Sequence, residues 1–218
     1  MANKVVVITG ASSGIGAALA EVLGRRRDVS LVLTARRKEA LEAVARRCDG
    51  RAHAIVADAE RRADVRRVVD EAIAKYGHID VWVNNAGRGI TRPPSQLTDE
   101  DVDAMMRVNV KSALYGMQEV LPHFKARNAG HVINVSSILG RIPFAVIRSA
   151  YCASKHYLNA LTIMMRDEVR ETHPGIEFSL VSPGVVATEF GKSALHGGPL
   201  SRQMPDPQSA EDVASVIA

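Results

Sequence analysis

Along the chain, short runs that are apolar at consecutive positions alternate with longer stretches whose apolar residues recur every three or four positions. The runs are KVVVIT (4–9), VSLVLT (29–34), AHAIVA (52–57), DVWVNN (80–85), HVINVS (131–136) and EFSLVS (177–182), rich in β-branched residues. Consecutive apolar positions mean strands covered on both faces. The periodic stretches predict helices from about Gly14 to Arg25, Lys38 to Arg47, Arg61 to Tyr76, Asp99 to Arg127 and Ala150 to Thr172. Strict alternation of strand and helix implies right-handed crossovers. The predicted fold is therefore α/β, an open, Rossmann-like, doubly wound parallel sheet in a single domain over 1–218. Ligands bind such sheets beyond the carboxyl ends of the strands, so the segments leaving those ends are where chemistry is expected.

Composition narrows the picture. With 218 residues, 46% of them hydrophobic, the chain builds one sizeable core, and no repeat, linker or low-complexity segment interrupts it. The net charge of +4 comes from arginine clusters at 25–27, 36–37, 46–47, 61–62 and 66–67. These sit among acids on amphipathic stretches, and with aromatics at only 4% and no nucleic-acid motif they read as solvated helix faces. Arg36-Arg37, at the end of the second run, is the exception. Two cysteines, Cys48 and Cys152, are too few for a disulfide framework or a metal site, and a reducing compartment fits. The amino-terminal apolar run ends in glycine after six residues, so it reads as a strand rather than a signal peptide or membrane span. The expectation is a cytoplasmic protein with no metal, membrane or nucleic-acid partner.

After the first run comes GASSGIG, in which Gly10, Gly14 and Gly16 form a turn leading into a helix. Such a turn lets backbone N–H groups approach a pyrophosphate without Cβ atoms in the way. Its spacing, Gly-x-x-x-Gly-x-Gly, differs from the common dinucleotide fingerprint. The bland alternative is a plain helix-start turn. A second feature is Tyr151 and Lys155, four positions apart and so on one helix face.

TGASSGIG, NNAG (84–87), Asn109 in VNV, VSS (135–137), YCASK (151–155) and SPGVVAT (182–188) stand in the order and approximate spacing of a short-chain dehydrogenase/reductase. The resemblance runs from Lys4 to about Thr188 and implies a nicotinamide-dependent oxidoreductase interconverting a carbonyl and a secondary alcohol. It implies cofactor contacts at Gly10, Ser12, Ser13, Gly14, Ile15 and Gly16, then Asp58 toward the adenine, Asn85, Ala86 and Gly87 behind the cofactor, and Pro183, Gly184 and Thr188 against the nicotinamide. Asp58 can equally cap the next helix, and Asn84 and Asn85 can serve the sheet as readily as the cofactor.

By the same resemblance Tyr151 is the general acid or base, Lys155 tunes it and holds the nicotinamide ribose, Ser137 holds the substrate oxygen, and Asn109 positions a water for a relay through the lysine. Bringing a tyrosine from about 10 to about 7 takes on the order of 4 kcal/mol. A nearby lysine in a drying cleft, with an oxidised nicotinamide beside it, is the expected source. Fourteen positions separate Ser137 from Tyr151, one more than the family's usual spacing. Either the loop bulges or Ser136 and Ser137 share the role. A non-catalytic nucleotide-sensing regulator on the same fold is the alternative; it has no need of these four residues.

Ala35 ends the second strand where an NAD site places an acid, and Arg36 and Arg37 come next. This favours NADP(H), with Arg36 as the main contact to a 2′-phosphate and Arg37 in support. Ile142, Phe144, Ile147, Leu195 and Met204 are the expected pocket wall, which fits a hydrophobic carbonyl or alcohol unless Arg88, Arg141, Arg148 or His196 points inward. Residues 189–208 have the glycines and prolines of a lid. Cys152, His156 and Trp82 read as packing residues. YLNALTIMM (157–165) is apolar nearly all round, so a homodimer or homotetramer is expected through that helix. SAEDVASVIA opens as a capped helix where family members usually continue to a further strand, so either more chain lies beyond it or a sheet edge stays uncovered.

Overall fold

The computed structural model describes residues 3–199, 204 and 206–218. Six parallel strands, β1 (Lys4–Thr9), β2 (Val29–Ala35), β3 (Ala52–Val56), β4 (Val81–Asn84), β5 (Gly130–Val135) and β6 (Ile176–Val181), form one sheet in the order β3-β2-β1-β4-β5-β6. The order reverses between β1 and β4, so the crevice opens beyond their carboxyl ends. Helices α1 (Gly14–Gly24), α2 (Lys38–Arg46), α3 (Arg62–Tyr76), α4 (Asp99–Met106), α5 (Ser112–Arg127), α6 (Ser149–Arg170) and α7 (Ala210–Ile217) cover the two faces.

Alternate residues of each strand feed opposite cores, which is why the strands read as unbroken apolar runs. Val6 and Ile8 of β1, with Leu31 and Leu33 of β2, meet Leu19 and Leu23 of α1, Leu41 of α2 and Ala214 of α7. Val7 and Val32 face the other way, onto Val65 and Val68 of α3, Met117 and Phe124 of α5, and Met165 of α6. Trp82 is fully buried in this second core, as its reading as a packing residue requires. Its indole N–H donates to Asn84 Oδ1 at 2.7 Å, Asn84 Nδ2 donates to Asn134 Oδ1 at 2.8 Å, and Asn134 Nδ2 to Thr162 Oγ1 at 2.8 Å. This buried polar chain ties β4, β5 and α6 together, every member satisfied by another.

One expected helix is not continuous. The stretch from Asp99 to Arg127 contains a π-helical turn at Arg107–Lys111 between α4 and α5. Inserting a residue into the α-helical ladder re-aims the side chains at that point, a device found mostly at functional sites. Asn109 sits in the middle of it. At the chain's end, Ser209 caps α7 in a reciprocal box with Asp212, as expected. Among the described residues no helix is long and apolar enough to cross a membrane.

Candidate active site

The site begins at the glycine turn. Gly10 and Gly14 hold φ of +65° and +58°, left-handed values that glycine adopts without penalty. Gly16 serves differently: a Cβ there would lie 2.4 Å from Asn85 Nδ2 and 2.6 Å from the Gly10 carbonyl, so it lets α1 close onto the turn. The first turn of α1 carries no acidic residue, and its N-cap, Ser13, makes no side-chain capping bond. The N–H groups there are left for another acceptor, and the helix dipole favours an anion. Beneath the turn, the Thr9 hydroxyl accepts from the backbone N–H groups of Asn85 and Ala86 at 3.0 and 3.1 Å, and Asn85 Nδ2 donates to the Thr9 and Gly10 carbonyls at 3.0 and 3.2 Å. Asn85 therefore locks the end of β1 to the end of β4, and Asn84 belongs to the buried polar chain.

From this turn a cleft of about 750 Å³ runs across the carboxyl edge of the sheet to Tyr151. Its walls include Gly10, Ser12, Ser13, Gly14, Ile15, Arg36, Arg37, Asp58, Asn85, Ala86 and Gly87, and further along Ser137, Tyr151, Lys155, Pro183, Gly184 and Thr188. Two of the residues predicted for the site, Gly16 and Asn109, stand behind the wall rather than in it. The Asp58 carboxylate accepts from Glu60 N at 3.0 Å, tightening the turn that precedes α3, whose N-cap is Arg61.

The arginine pair divides. Arg37 Nη2 donates to Ser12 Oγ at 3.1 Å and Ser13 Oγ at 2.8 Å, so its guanidinium lies over the glycine turn. Arg36 turns the other way and pairs with Glu60 at 3.3 Å, largely exposed to water. Such an exposed pair is weak and readily exchanged. A dinucleotide fits these residues: uncapped N–H groups and a cationic rim stand at one end, and Thr34, whose buried hydroxyl has no partner among the described residues, lies in the adjoining wall.

At the far end Tyr151 is buried beside Ser137, whose side chain acts to lower the pKa of its hydroxyl. Ser137 lies just past β5 and also accepts from Leu139 N at 3.1 Å. Ser136 is committed elsewhere, donating to Asn159 Oδ1 at 2.5 Å, so the serine beside the tyrosine is Ser137. Between Ser137 and α6 the chain forms a short 3₁₀ turn at Ile138–Gly140 and then an open stretch. Lys155 lies in the same helix, its Nζ 2.8 Å from the Val135 carbonyl and 5.8 Å from the Tyr151 ring centroid. Asn109 and Lys155 meet over Gly87: a Cβ there would be 3.0 Å from Asn109 Oδ1 and 3.7 Å from Lys155 Nζ. The Asn109 amide is fixed by two bonds to the Arg88 backbone, accepting from its N–H at 2.9 Å and donating to its carbonyl at 2.9 Å.

The electrostatics differ from expectation. Burial pushes the Tyr151 hydroxyl up to about 12, outweighing the Ser137 side chain and the Arg148 charge that act the other way. Burial also pulls the Lys155 ammonium down to about 8. Burial therefore keeps the phenol protonated at neutral pH, and the Lys155 ammonium, bonded to the Val135 carbonyl, is not among the groups that lower its pKa.

Of the expected pocket residues, Phe144, Ile147 and Met204 line the cleft. Ile142 does not, standing exposed on the loop, and Leu195 instead packs into a small core with Ile90, Met105 and Tyr151. Arg141 bonds Ser182 and His196 pairs with Asp101, both away from the cleft, whereas Arg88 and Arg148 line it. Phe190, which sequence reasoning missed, sets its ring edge-on to Tyr151 with centroids 5.5 Å apart. Its signal was an aromatic two positions after Thr188 in a chain poor in aromatics. Of the expected lid, residues 200–203 and 205 lie outside the described residues. Its first part is docked, with Leu195 N donating to the Gly89 carbonyl at 2.9 Å and Thr91 N to the Leu195 carbonyl at 3.0 Å. Cys152 packs with its thiol toward the Leu139 carbonyl, and His156 bonds the Cys152 carbonyl, both in supporting positions.

A doubly wound sheet with a glycine turn and a continuous cleft at its switch point defines the class of nucleotide-binding α/β proteins. The family model of the short chain dehydrogenases matches residues 4–197. The chain thus belongs to the short-chain dehydrogenase/reductase family, which is a family of oxidoreductases. It is 35% identical to an uncharacterized oxidoreductase of Staphylococcus saprophyticus, over 97% of this chain and 89% of that one. It is 33% identical to an NADP-dependent 3-hydroxy acid dehydrogenase of Schizosaccharomyces pombe, over 99% of this chain and 85% of that one. Its fold matches a short chain dehydrogenase/reductase from Burkholderia phymatum in complex with NAD, with a TM-score of 0.90, 25% identity, and coverage of 99% of this chain and 84% of that one. The alternative of a non-catalytic regulator is not favoured by these relatives.

Proposed function

We propose that the protein is an NADP(H)-dependent oxidoreductase interconverting a small carbonyl compound and its secondary alcohol, with Tyr151 as the proton-transfer group. The observation that carries this is the convergence of Tyr151, Ser137 and Lys155 at the end of β5, in the same cleft as the glycine turn. The dinucleotide supplies or accepts the hydride when bound. Gly10–Ile15 would hold its pyrophosphate at the start of α1, and Lys155 would bind its ribose. The Ser137 and Tyr151 hydroxyls grip the carbonyl oxygen. As negative charge develops there, Tyr151 passes its phenolic proton to that oxygen and Ser137 stabilises it with a hydrogen bond. Burial keeps Tyr151 protonated at neutral pH, which suits a donor. In the reverse direction the phenolate accepts the alcohol proton; with the cofactor bound, the positive charges of Lys155 and of the oxidised nicotinamide would together favour that charged form. Asn109 acts by holding the Gly87–Arg88 backbone against Lys155 and, with a water, linking the lysine to solvent.

The preference for NADP(H) rests on Ala35 in place of an acid and on the two guanidiniums at the cleft rim. Arg37 is already over the turn, and Arg36 need only exchange an exposed partner. The substrate's body lies against Phe144, Ile147, Phe190 and Met204, which favours an apolar compound. The outer face of α6 exposes Tyr157, Ile163 and Met164, and a second copy of the chain is the proposed cover.

Absorbance of the reduced nicotinamide, measured with a panel of ketones and aldehydes, tests the reading. Tyr151→Phe is expected to abolish turnover with cofactor affinity nearly intact, and retention of most activity would end the assignment.

A further inference from the structure

Arg148 precedes α6 and is partly buried in the cleft wall near Tyr151. One of its terminal nitrogens, Nη1, donates to the Ile90 carbonyl at 3.2 Å and to Thr91 Oγ1 at 3.0 Å. Among the described residues its Nε and Nη2 make no hydrogen bond and no carboxylate pairs with it. The undescribed positions cannot supply one either, since they are Met, Ala, Leu, Ser, Arg, Gln and Pro. The acids that line the cleft are engaged elsewhere: Glu60 with Arg36, Glu189 with Lys192, and Asp58 with the Glu60 backbone.

A guanidinium partly withdrawn from water without an anion is unfavourable, and burial accordingly weakens its hold on its proton. Its geometry is nonetheless fixed. Two bonds clamp one edge to the segment after β4, leaving a planar fork of N–H donors that matches a carboxylate. The same cleft end carries Arg88, held through Nε to the Ser193 carbonyl, so the field there is positive.

We infer that Arg148 is the specificity-determining residue of the substrate end, and that the substrate is an oxo acid or hydroxy acid whose carboxylate it receives. The inference rests on the carbonyl–alcohol reading and refines it: an apolar body against Phe144 and Phe190, a carbonyl at Tyr151, and an acidic terminus at Arg148. No part of it concerns the cofactor phosphates, which belong to the opposite end of the cleft.

The test compares straight-chain 2-oxo and 4-oxo acids with their methyl esters, which keep the shape and lose the charge. The wild-type protein is expected to favour the acids in kcat/KM. Arg148→Gln should lower the acid-to-ester ratio on the order of 10- to 100-fold, as loss of a charged hydrogen-bonded pair implies, chiefly through KM for the acid. Arg148→Lys, which keeps the charge and the local fold but loses the fork, should lower it by less. A wild-type preference for the ester, or a ratio unchanged in whichever variants fold, overturns the inference. A binding readout separates it from the reaction itself: thermal stabilisation by the oxo acid in the presence of NADP⁺. Stabilisation that depends on Arg148 without turnover of any substrate would uphold the carboxylate site and sink the oxidoreductase mechanism. Absence of acid-dependent stabilisation, together with no turnover of the acids, would sink the carboxylate site.

Discussion

Replacing Lys155 by Met is expected to change stability in a way that depends on pH with a predictable sign. The lysine is almost fully buried, makes one hydrogen bond, to the Val135 carbonyl, and has its pKa pulled from 10.5 down to about 8. At about 1.4 kcal/mol per unit, that shift means the folded state carries about 3 kcal/mol of penalty for holding the ammonium. Between pH 8 and 10.5 the unfolded chain binds more protons than the folded one, so wild-type stability from this group rises with pH across that window. Below it the penalty is fully present, and above it the penalty is gone. Met removes the titration. Losing the bond to Val135 offsets the whole comparison by a roughly constant amount but does not set its slope. Tyr151, raised to about 12, weakens both proteins alike above pH 10 and cancels in the difference. Urea unfolding of both proteins at intervals from pH 7 to 10 measures this. The stability of Lys155→Met relative to wild type should fall by about 2 to 3 kcal/mol across the range, while activity is lost throughout. A flat difference would mean that the ammonium is not desolvated as its burial implies.

Ala35→Asp with Arg36→Ile should move preference toward NADH, and Arg37→Ala should weaken NADPH more than NADH; equal catalytic efficiency of the unmodified protein with the two cofactors would defeat the arginine assignment. Gly16→Ala puts a Cβ 2.4 Å from Asn85 Nδ2, and is expected to destabilise the fold by about 1 to 3 kcal/mol and weaken cofactor binding, read by thermal unfolding with and without NADP⁺. Light scattering at micromolar concentration should find a dimer or tetramer, and Met164→Glu on the exposed face of α6 should dissociate it; a monomeric wild type would count against that interface.

Much of this protein is written locally. Runs such as Val5–Ile8 mark strands fed into two cores, because alternate side chains of one strand must each find an apolar face. The glycine turn is also local: a left-handed φ at Gly10 and Gly14 is a demand on single residues, visible in their identity. Tyr151 and Lys155 share a helix face by spacing alone. The order of residues leaves open which distant group each polar side chain meets. Ser136 and Ser137 are neighbours in sequence, yet Ser136 is bonded to Asn159 while Ser137 lies in the cleft wall beside Tyr151. Arg36 and Arg37 part company because Glu60 stands on one side and Ser12 and Ser13 on the other. The π turn at Asn109 arises where a helix is fitted between the Arg88 backbone and Ser154, segments brought together only by the sheet. The direction of the Tyr151 shift is set the same way, since desolvation depends on everything packed around the phenol, including Phe190 from the far end of the chain. Local periodicity determines which faces must be buried; only the assembled fold determines which partners, charges and water each buried group finds there.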